Sequence, residues 1–300
     1  MTTPDRTPDP TARPPRRARL VRGLLGVVTW SGWTGVAALA TAIAAIGALW
    51  FTAQSLRATD NQYGLAQQVA VSDRFQKAVE QLASDRIDQR VAGIYLLERL
   101  AKDSPGDRDT IVEVLAAFLR AHAPAADCRI PPPSEPAHLA IDHQAALTVL
   151  ARREHPDARP GSRIDLSRTC LVGATVESGN LGWIQFSDAV LARSTFSEVT
   201  FELAVFQRAD LTGTVFNDSQ LSAVTMWDAN LTKVQMHACK LGDGGYAGAD
   251  LAGANLFSSD NLGTHALDPN EYVENQLPYY DKDTRWPLGF TPSVPSRPAP

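Results

Sequence analysis

Apolar residues recur at every fifth position over the second half of the chain. From Leu166 to Leu256 all 19 such positions are apolar, and the positions two residues before them are small or apolar. A period of five fits neither an α-helix nor a continuous strand, whose side-chain periods are 3.6 and 2. Positions i−2 and i lie on the same side of an extended segment, so both are expected to point inward before the chain turns.

The same pattern predicts the number of units in one coil. Every fourth central residue from Leu171 to Leu251 is leucine, and this spacing also stacks Phe186 on Phe206 and Phe196 on Phe216. Coils stacked about 4.8 Å apart pair their backbones and bury a core that one unit cannot bury alone. We therefore predict a solenoid with four five-residue units, or 20 residues, in each coil.

Four segments carry a recognisable unit: ADLTG at 209–213, ANLTK at 229–233, ADLAG at 249–253 and ANLFS at 254–258. They resemble the A-[D/N]-L-x-x unit of pentapeptide-repeat proteins. The resemblance implies a right-handed quadrilateral β-helix, which we expect over residues 163–262. Residues 90–122 are similar to the helical region upstream of the repeats in actinobacterial members, and residues 279–287 resemble their closing segment.

The repeat register fails at Asn261, which occupies a central position while Leu262 is offset by one. An open last coil exposes unpaired strand edges, so residues 263–300 are expected to hold a cap followed by a proline-rich tail. The apolar residues available to cover the last coil are Tyr272, Tyr279, Tyr280, Trp286 and Phe290.

Charges alternate along one column of the predicted solenoid. The positions two residues after every fourth centre are Arg168, Asp188, Arg208 and Asp228. Side chains stacked one coil apart lie close enough to pair, so we predict a ladder of salt bridges along one edge.

Residues 54–123 and 138–156 show helical spacing of apolar residues. Spacings of three and four predict helices over 67–82, over 88–102 and after residue 107, the last with Asp109 as its N-cap. Residues 124–137 are rich in proline and are interpreted as a linker, followed by an amphipathic helix over about 141–153. We expect an antiparallel bundle or a short helical-repeat stack.

A membrane segment precedes this helical region. Residues 23–56 contain no charged side chain, and about 20 apolar residues span a bilayer whereas two passes need about 40. Residues 23–53 are therefore predicted to be one transmembrane helix, with Trp30, Trp33 and Trp50 near the interfaces. A cleaved signal peptide is the alternative, although its apolar part usually has only about 7–15 residues.

Residues 1–22 hold six arginines against two aspartates, a net charge of +4, and are predicted to be a disordered basic arm. The positive-inside rule then places the N-terminus in the cytoplasm and the later residues outside. Relatives with two membrane segments keep their repeats in the cytoplasm, so the side of the repeat domain is left open. A ridge of Ala40, Ala44 and Ala48 also leaves pairing of two copies open.

Composition adds little to this picture. The 300 residues carry a net charge of −5, and the three cysteines rule out a disulfide framework, so the fold is expected to hold without disulfides. Cys239 is expected in the core, Cys170 faces outward and Cys128 lies in a loop. The chain contains no P-loop, G-x-S-x-G or H-E-x-x-H motif.

The remaining candidate residues favour structural interpretations. His138 and His143 flank Asp142, which is interpreted as a helix-start aspartate beside exposed histidines and not as a metal site. Gly242–Gly245 resembles a phosphate loop only in composition, and Asn217 and Asn230 begin glycosylation triplets that the repeat generates by itself. We therefore assign no catalytic, cofactor-binding or metal-binding residue.

These features favour a non-catalytic scaffold for protein–protein interaction, anchored in the cell membrane by one span. Its expected partners are an unidentified protein and the lipid bilayer, without direct nucleic-acid binding. The resemblance also implies an alternative, a DNA-mimicking inhibitor of a DNA-handling enzyme such as gyrase. Residues 160–262 hold 11 acidic and 6 basic residues, which permits mimicry, but Arg193, Lys233 and the alternating column break up the acidic faces.

Overall fold

A computed structural model describes residues 32–153, 163–242, 244–262, 277–292 and 296. The chain divides into two compact units, Met1–Val69 and Ala70–Pro300. The predicted basic arm and the first part of the predicted transmembrane segment lie outside the described residues.

Helix α1 extends over Gly32–Leu82. Its segment Gly35–Arg57 is long and apolar enough to cross a membrane, although a signal sequence near the N-terminus would pass the same test. The side chains of this segment are exposed. The helix continues beyond the predicted end of the span because residues 54–82 contain no proline to break it.

Three further helices follow: α2 (Ile87–Asp103), α3 (Arg108–His122) and α4 (Ile141–Ala151), with 3₁₀ turns at Pro105–Asp107 and Ala125–Asp127. Asp109 lies inside the first turn of α3 and is not its N-cap, because the helix begins one residue before it. Helix α4 is mostly buried instead of amphipathic, because it packs against α2, α3 and the first coil.

Short parallel strands form the solenoid of about five turns that follows: β1 (Ile164–Asp165), β2 (Thr175–Val176), β3 (Gly179–Asn180), β4 (Ile184–Gln185), β5 (Thr195–Ser197), β6 (Val199–Thr200), β7 (Val215–Asn217), β8 (Gln235–Gly242) and β9 (Asn255–Leu262). Partners are 20 residues apart, as in Phe196 with Phe216 and Thr175 with Thr195. The predicted 20-residue coil is confirmed.

The five-residue units form four rows of stacked inward residues. Row 1 contains Phe186 and Phe206, row 2 the leucine column from Leu171 to Leu251, row 3 Phe196 and Phe216, and row 4 Phe201 and Leu221. All 19 predicted central residues are buried, none more than 3% exposed. The predicted aromatic stacks are also present, with ring centroids 5.2 Å apart in row 1 and 5.4 Å in row 3. The right-handed sense and the square cross-section stay predictions.

The residue two positions after most central residues has a left-handed backbone conformation, and we call it the corner residue. Twelve of these corner residues are not glycine and have φ between 48° and 59°, including Leu203 and Arg208. In rows 1 and 2 the residue after the corner donates its N–H to the central carbonyl, as Ala189 does to Phe186. An i-to-i+3 bond with positive φ at the third residue is the pattern of a type II turn. Each such turn redirects the chain into the next row.

Two glycines allow other backbones to approach the first coil closely. A Cβ on Gly173 (φ 70°) would lie 2.4 Å from the carbonyl carbon of Ala137 in the linker. A Cβ on Gly179 would lie 2.4 Å from the carbonyl oxygen of Ala151 at the end of α4. The lack of a side chain at both positions therefore lets the linker and the end of α4 pack directly against the first coil of the solenoid.

Substitution Gly173→Ala should destabilise the fold more than Gly213→Ala. Gly213 is the matched control, since it occupies the same corner of row 2 with φ 63° and a Cβ there would meet only Arg193 Cγ at 3.8 Å. We expect Gly213→Ala to cost about 1 kcal/mol for the left-handed backbone and Gly173→Ala about 2–3 kcal/mol. Chemical denaturation of the two variants measures this difference, and equal losses would contradict the proposed close packing.

Candidate interaction surfaces

The segment after α3 covers one part of the solenoid's N-terminal edge. The N–H of Cys170 donates to the carbonyl of Ala123, and the N–H of Ala125 donates to that of Arg168, both at 2.7 Å. The guanidinium of Arg120, on α3, donates to the carbonyl of Asp165. These bonds satisfy backbone groups of rows 1 and 2 that have no earlier coil to pair with.

Helix α4 covers the other part of the same edge with side chains. The Gln144 amide pairs with both backbone groups of Thr175, as a neighbouring strand would, and its Oε1 accepts the Thr175 N–H at 3.0 Å. Arg153 donates to the carbonyl of Gly182, and burial lowers the pKa of Arg153 to about 10. The helices and the solenoid share one continuous apolar core. These contacts therefore cover backbone groups of rows 3 and 4 at the N-terminal edge.

A disulfide between Cys128 and Cys170 reinforces this junction. The expectation of a fold without disulfides is wrong, because the linker brings Cys128 beside the outward Cys170 of the first coil. Counting cysteines could not detect a pair separated by 42 residues in sequence. Closing a loop of that length is expected to stabilise the fold by about 2–4 kcal/mol.

The proline-rich linker is held on row 2 by Arg193. Its guanidinium donates to three linker carbonyls, those of Pro131 and Pro132 at 3.0 Å and that of Glu135 at 2.6 Å. Val172 and Ala192, which face outward from row 2, are buried. The linker therefore occupies the first two coils of row 2.

The described part of the C-terminal segment continues the solenoid as a cap. Tyr279 and Arg285 pair in parallel with Asp250 and Asn255 of the last coil. The hydroxyl of Thr284 donates to the carbonyl of Leu251 at 2.9 Å, just as the hydroxyl of Thr214 donates to the carbonyl of Leu191 further down row 2. The side chains packed against the core are Leu277, Tyr280, Trp286 and Phe290. Tyr272, which we also expected there, lies outside the described residues.

The predicted charge ladder is present only in part. Arg208 makes a two-pronged ion pair with Asp188, with N–O distances of 2.7 and 2.8 Å, and these hydrogen bonds lower the pKa of Asp188. Arg168 also lowers the pKa of Asp188, and Asp228 raises the pKa of Arg208, both by charge–charge interaction. All four occupy left-handed corners, so they lie in one column as predicted. Only the central pair has the geometry for direct bonds among the described contacts.

Two aromatic side chains stand out on the open rows. Trp227 follows a row 1 centre and is 49% exposed, whereas Phe257 follows a row 3 centre and is 56% exposed. Trp227 has room because Gly245 lacks a Cβ, which would lie 2.5 Å from the indole Nε1. Row 3 also has two acidic corners stacked one coil apart, Glu198 and Asp218.

One protein family matches the sequence of the solenoid. The family model for pentapeptide repeats matches residues 184–222 with eight copies. This part of the solenoid consists of pentapeptide repeats. Among curated proteins, none matches the chain.

Solved pentapeptide-repeat proteins resemble parts of the chain. Rfr23 from the cyanobacterium Cyanothece 51142 is 24% identical, with 43% of this chain and 67% of that chain covered and a TM-score of 0.21. A protein from the Arabidopsis thaliana thylakoid lumen is 23% identical, with coverage of 36% and 71% and a TM-score of 0.21. QnrB1, a plasmid-mediated fluoroquinolone resistance protein, is 13% identical, with coverage of 40% and 83% and a TM-score of 0.16.

Asp142 is not the exposed helix-start aspartate that the sequence suggested. It is 1% exposed, and its Oδ2 accepts a hydrogen bond from Arg90 Nε on α2 at 2.7 Å and lies 2.7 Å from Arg90 Nη2 in an ion pair. His143 is also largely buried, whereas His138 is exposed. Burial alone would raise the pKa of Asp142, but the Arg90 hydrogen bonds and nearby positive charge lower it. The ion pair therefore fixes α4 against α2 and places Gln144 on the first coil of the solenoid.

The other candidate residues have structural roles in the repeats. Cys239 is buried in the core, and burial raises the pKa of its thiol. Gly244 is buried as an inward small residue, while Asp243 of the same glycine-rich segment lies outside the described residues. Asn217 donates to Ser197 and Asn230 accepts the Thr232 N–H, so both side chains act within the solenoid.

Substitution Asp142→Asn should destabilise the chain strongly at neutral pH. Removing one partner of a buried pair typically costs about 3–5 kcal/mol. The lowered pKa means that this contribution is complete above the ordinary carboxyl pKa and is lost as the pH falls through the lowered value. Urea unfolding should show that the difference in free energy of unfolding between wild type and variant is smaller at pH 3 than at pH 7. Asp88→Asn, in an exposed pair with Arg86, is the control and should change little. An equal difference in free energy of unfolding at the two pH values would contradict the stabilising role of the Asp142 carboxylate.

Proposed function

We propose that the chain is a non-catalytic scaffold, anchored by its apolar N-terminal helix, whose pentapeptide-repeat domain binds a protein partner outside the cytoplasm. The single observation that carries the location is the Cys128–Cys170 disulfide. Disulfides persist in oxidising compartments and are rare in the cytosol. The six arginines before the apolar segment support the same orientation, with the N-terminus inside.

The binding role is supported by how the domain uses its residues. The inward positions form the core, and other parts of the chain bond to the N-terminal edge and pair with Asp250 and Asn255 of the last coil. Partners are therefore left with the outward positions of the rows. Row 2 is occupied by the linker over its first two coils, while row 1 exposes Trp227 beside the Asp188–Arg208 pair. Tryptophan and arginine are enriched among residues that dominate binding energy.

The proposal that DNA mimicry is the function has weaker support. Mimicry requires uniformly acidic faces, yet row 1 pairs Asp188 with Arg208, and Arg193 lies on row 2. An extracytoplasmic domain would also be separated from a cytoplasmic DNA-handling enzyme. The scaffold function is therefore preferred.

The redox state of the cysteines tests the location. Cells expressing the full chain are denatured with a thiol-reactive polyethylene glycol, first without and then with reductant. We expect one adduct, on Cys239, without reductant and three adducts after reduction, because the chain has three cysteines. The double variant Cys128→Ser/Cys170→Ser should give one adduct in both cases. Three adducts without reductant would place the domain in a reducing compartment and contradict the proposal.

Photo-crosslinking tests the binding surface in native membranes. A photoreactive amino acid replaces Gln207, which precedes Trp227 by one coil in row 1. Trp227→Ala should reduce the partner adduct at least tenfold, since truncating a dominant residue costs about 2 kcal/mol or more. Phe257→Ala is the matched control, an equally exposed aromatic residue on row 3, and should leave the adduct unchanged. Equal loss in both variants, or no adduct at all, would contradict binding through row 1.

A further inference from the structure

A cavity of about 420 Å³ lies beneath the proline-rich linker. Its walls come from the end of α3, the linker, the start of α4 and the outward side of row 2, where Cys170 and Val172 line it. Both the disulfide and the Arg193 clamp hold the linker across this space. Small-molecule sites have volumes of about 300–1,000 Å³, so the cavity is large enough for a small ligand.

The polar groups of the cavity are mostly nitrogen bases. Three imidazoles and one guanidinium line it, those of His122, His138, His143 and Arg129, against the single carboxylate of Asp127. At neutral pH the two formal charges cancel, and each protonated imidazole then adds one positive charge. Within the described residues no three potential ligands come close enough to hold a metal ion. The chemistry therefore favours an anion.

One hydrogen bond of the His122 imidazole defines which of its ring nitrogens carries the proton. Its Nδ1 lies 3.0 Å from the carbonyl oxygen of Phe118, which can only accept, so Nδ1 carries the proton. Nε2 becomes a donor when the ring is protonated. The Phe118 ring lies 4.4 Å from the His122 ring and 5.9 Å from the His143 ring, and so supports both imidazoles.

The rest of the lining is apolar. It consists of alanine, proline, leucine and valine side chains: Ala123, Pro124, Pro131, Pro136, Leu139, Ala140 and Val172. A purely inorganic ion would leave this surface without contacts. An organic ligand with one apolar part and one anionic group matches both halves of the lining.

We infer that the cavity is a binding site for a small organic oxyanion with an apolar portion, bound more tightly under mildly acidic conditions. Protonation of His122, His138 and His143 supplies the added positive charge, and Arg129 supplies the constant one. This site is independent of the partner-binding role of row 1.

The neighbouring charges modulate the pH response. His143 faces Asp142 on its own helix, Arg90 on α2 and His122 on α3, while Asp127 and Arg129 belong to the linker side. Burial lowers the pKa of His143, and His122 and Arg90 lower it further against the opposing effect of Asp142.

Titration calorimetry of the full chain in non-ionic detergent tests the site, with benzenesulfonate, which keeps one negative charge at both pH values, as the probe and benzyl alcohol as the neutral comparison. We expect benzenesulfonate to bind at least tenfold more tightly at pH 5.5 than at pH 7.5, and benzyl alcohol to show no such change. Arg129→Gln and His138→Gln, both exposed side chains, should each weaken binding at pH 5.5 about tenfold without lowering the melting temperature. His237→Gln on row 3 is the matched histidine control and should bind as wild type does.

Three results would overturn the inference. They are an affinity that does not change with pH, equal binding by the cavity variants and the His237→Gln control, and absence of binding at millimolar benzenesulfonate. Inorganic sulfate that binds as tightly as benzenesulfonate would overturn the apolar part of the assignment.

Discussion

Backbone pairing between residues 20 positions apart is the constraint on which the rest of the structure depends. This pairing requires each coil to return to its starting point after four five-residue units. The return is achieved by left-handed corner residues, twelve of which carry a side chain and therefore cost conformational energy. The stacked core offsets that cost, since every central position is filled by a buried apolar residue. The five-residue period is thus a consequence of geometry and not of local propensity.

A stack of parallel coils has two ends, and their coverage explains much of the remaining chain. At the N-terminal end Gln144 and the segment around Ala123 take the place of a missing coil, and Arg90 and Asp142 hold α4 in position for this. At the C-terminal end Tyr279 and Arg285 pair with the last coil, and Thr284 repeats a hydroxyl contact found inside the solenoid. The helices before the repeats therefore serve as part of one folded unit with them.

Because other parts of the chain occupy much of both ends, the rows and the linker junction are the surfaces proposed for interaction. Row 1 has an exposed tryptophan next to an ion pair, while residues of the linker over row 2 line a partly open cavity with three histidines. The disulfide belongs to this second region and ties the linker to the first coil. Structural stability and candidate ligand binding thus depend on the same junction. Because of this coupling, release of the linker from row 2 is expected to alter the shape of the cavity more than the packing of the distant coils.

The sequence alone determined the repeat core. Phe186, Phe206 and the leucine column can be assigned to the core from their spacing in the sequence, because the backbone pairing makes each inward position equivalent to those 20 residues away. The corner column of Arg168, Asp188, Arg208 and Asp228 could be assigned for the same reason. Periodic structure is readable in sequence because each unit repeats the same local environment.

Only the tertiary structure decided what meets at the junction. Cys128 and Cys170 are 42 residues apart and belong to different elements, so no spacing rule pairs them. Asp142 has a helix-start position in sequence, yet its ion pair with Arg90 comes from packing of α4 against α2. Arg285 pairs with Asn255 although they are 30 residues apart, because ten additional residues interrupt the 20-residue repeat. These contacts join segments with no shared period, so they depend on the complete fold.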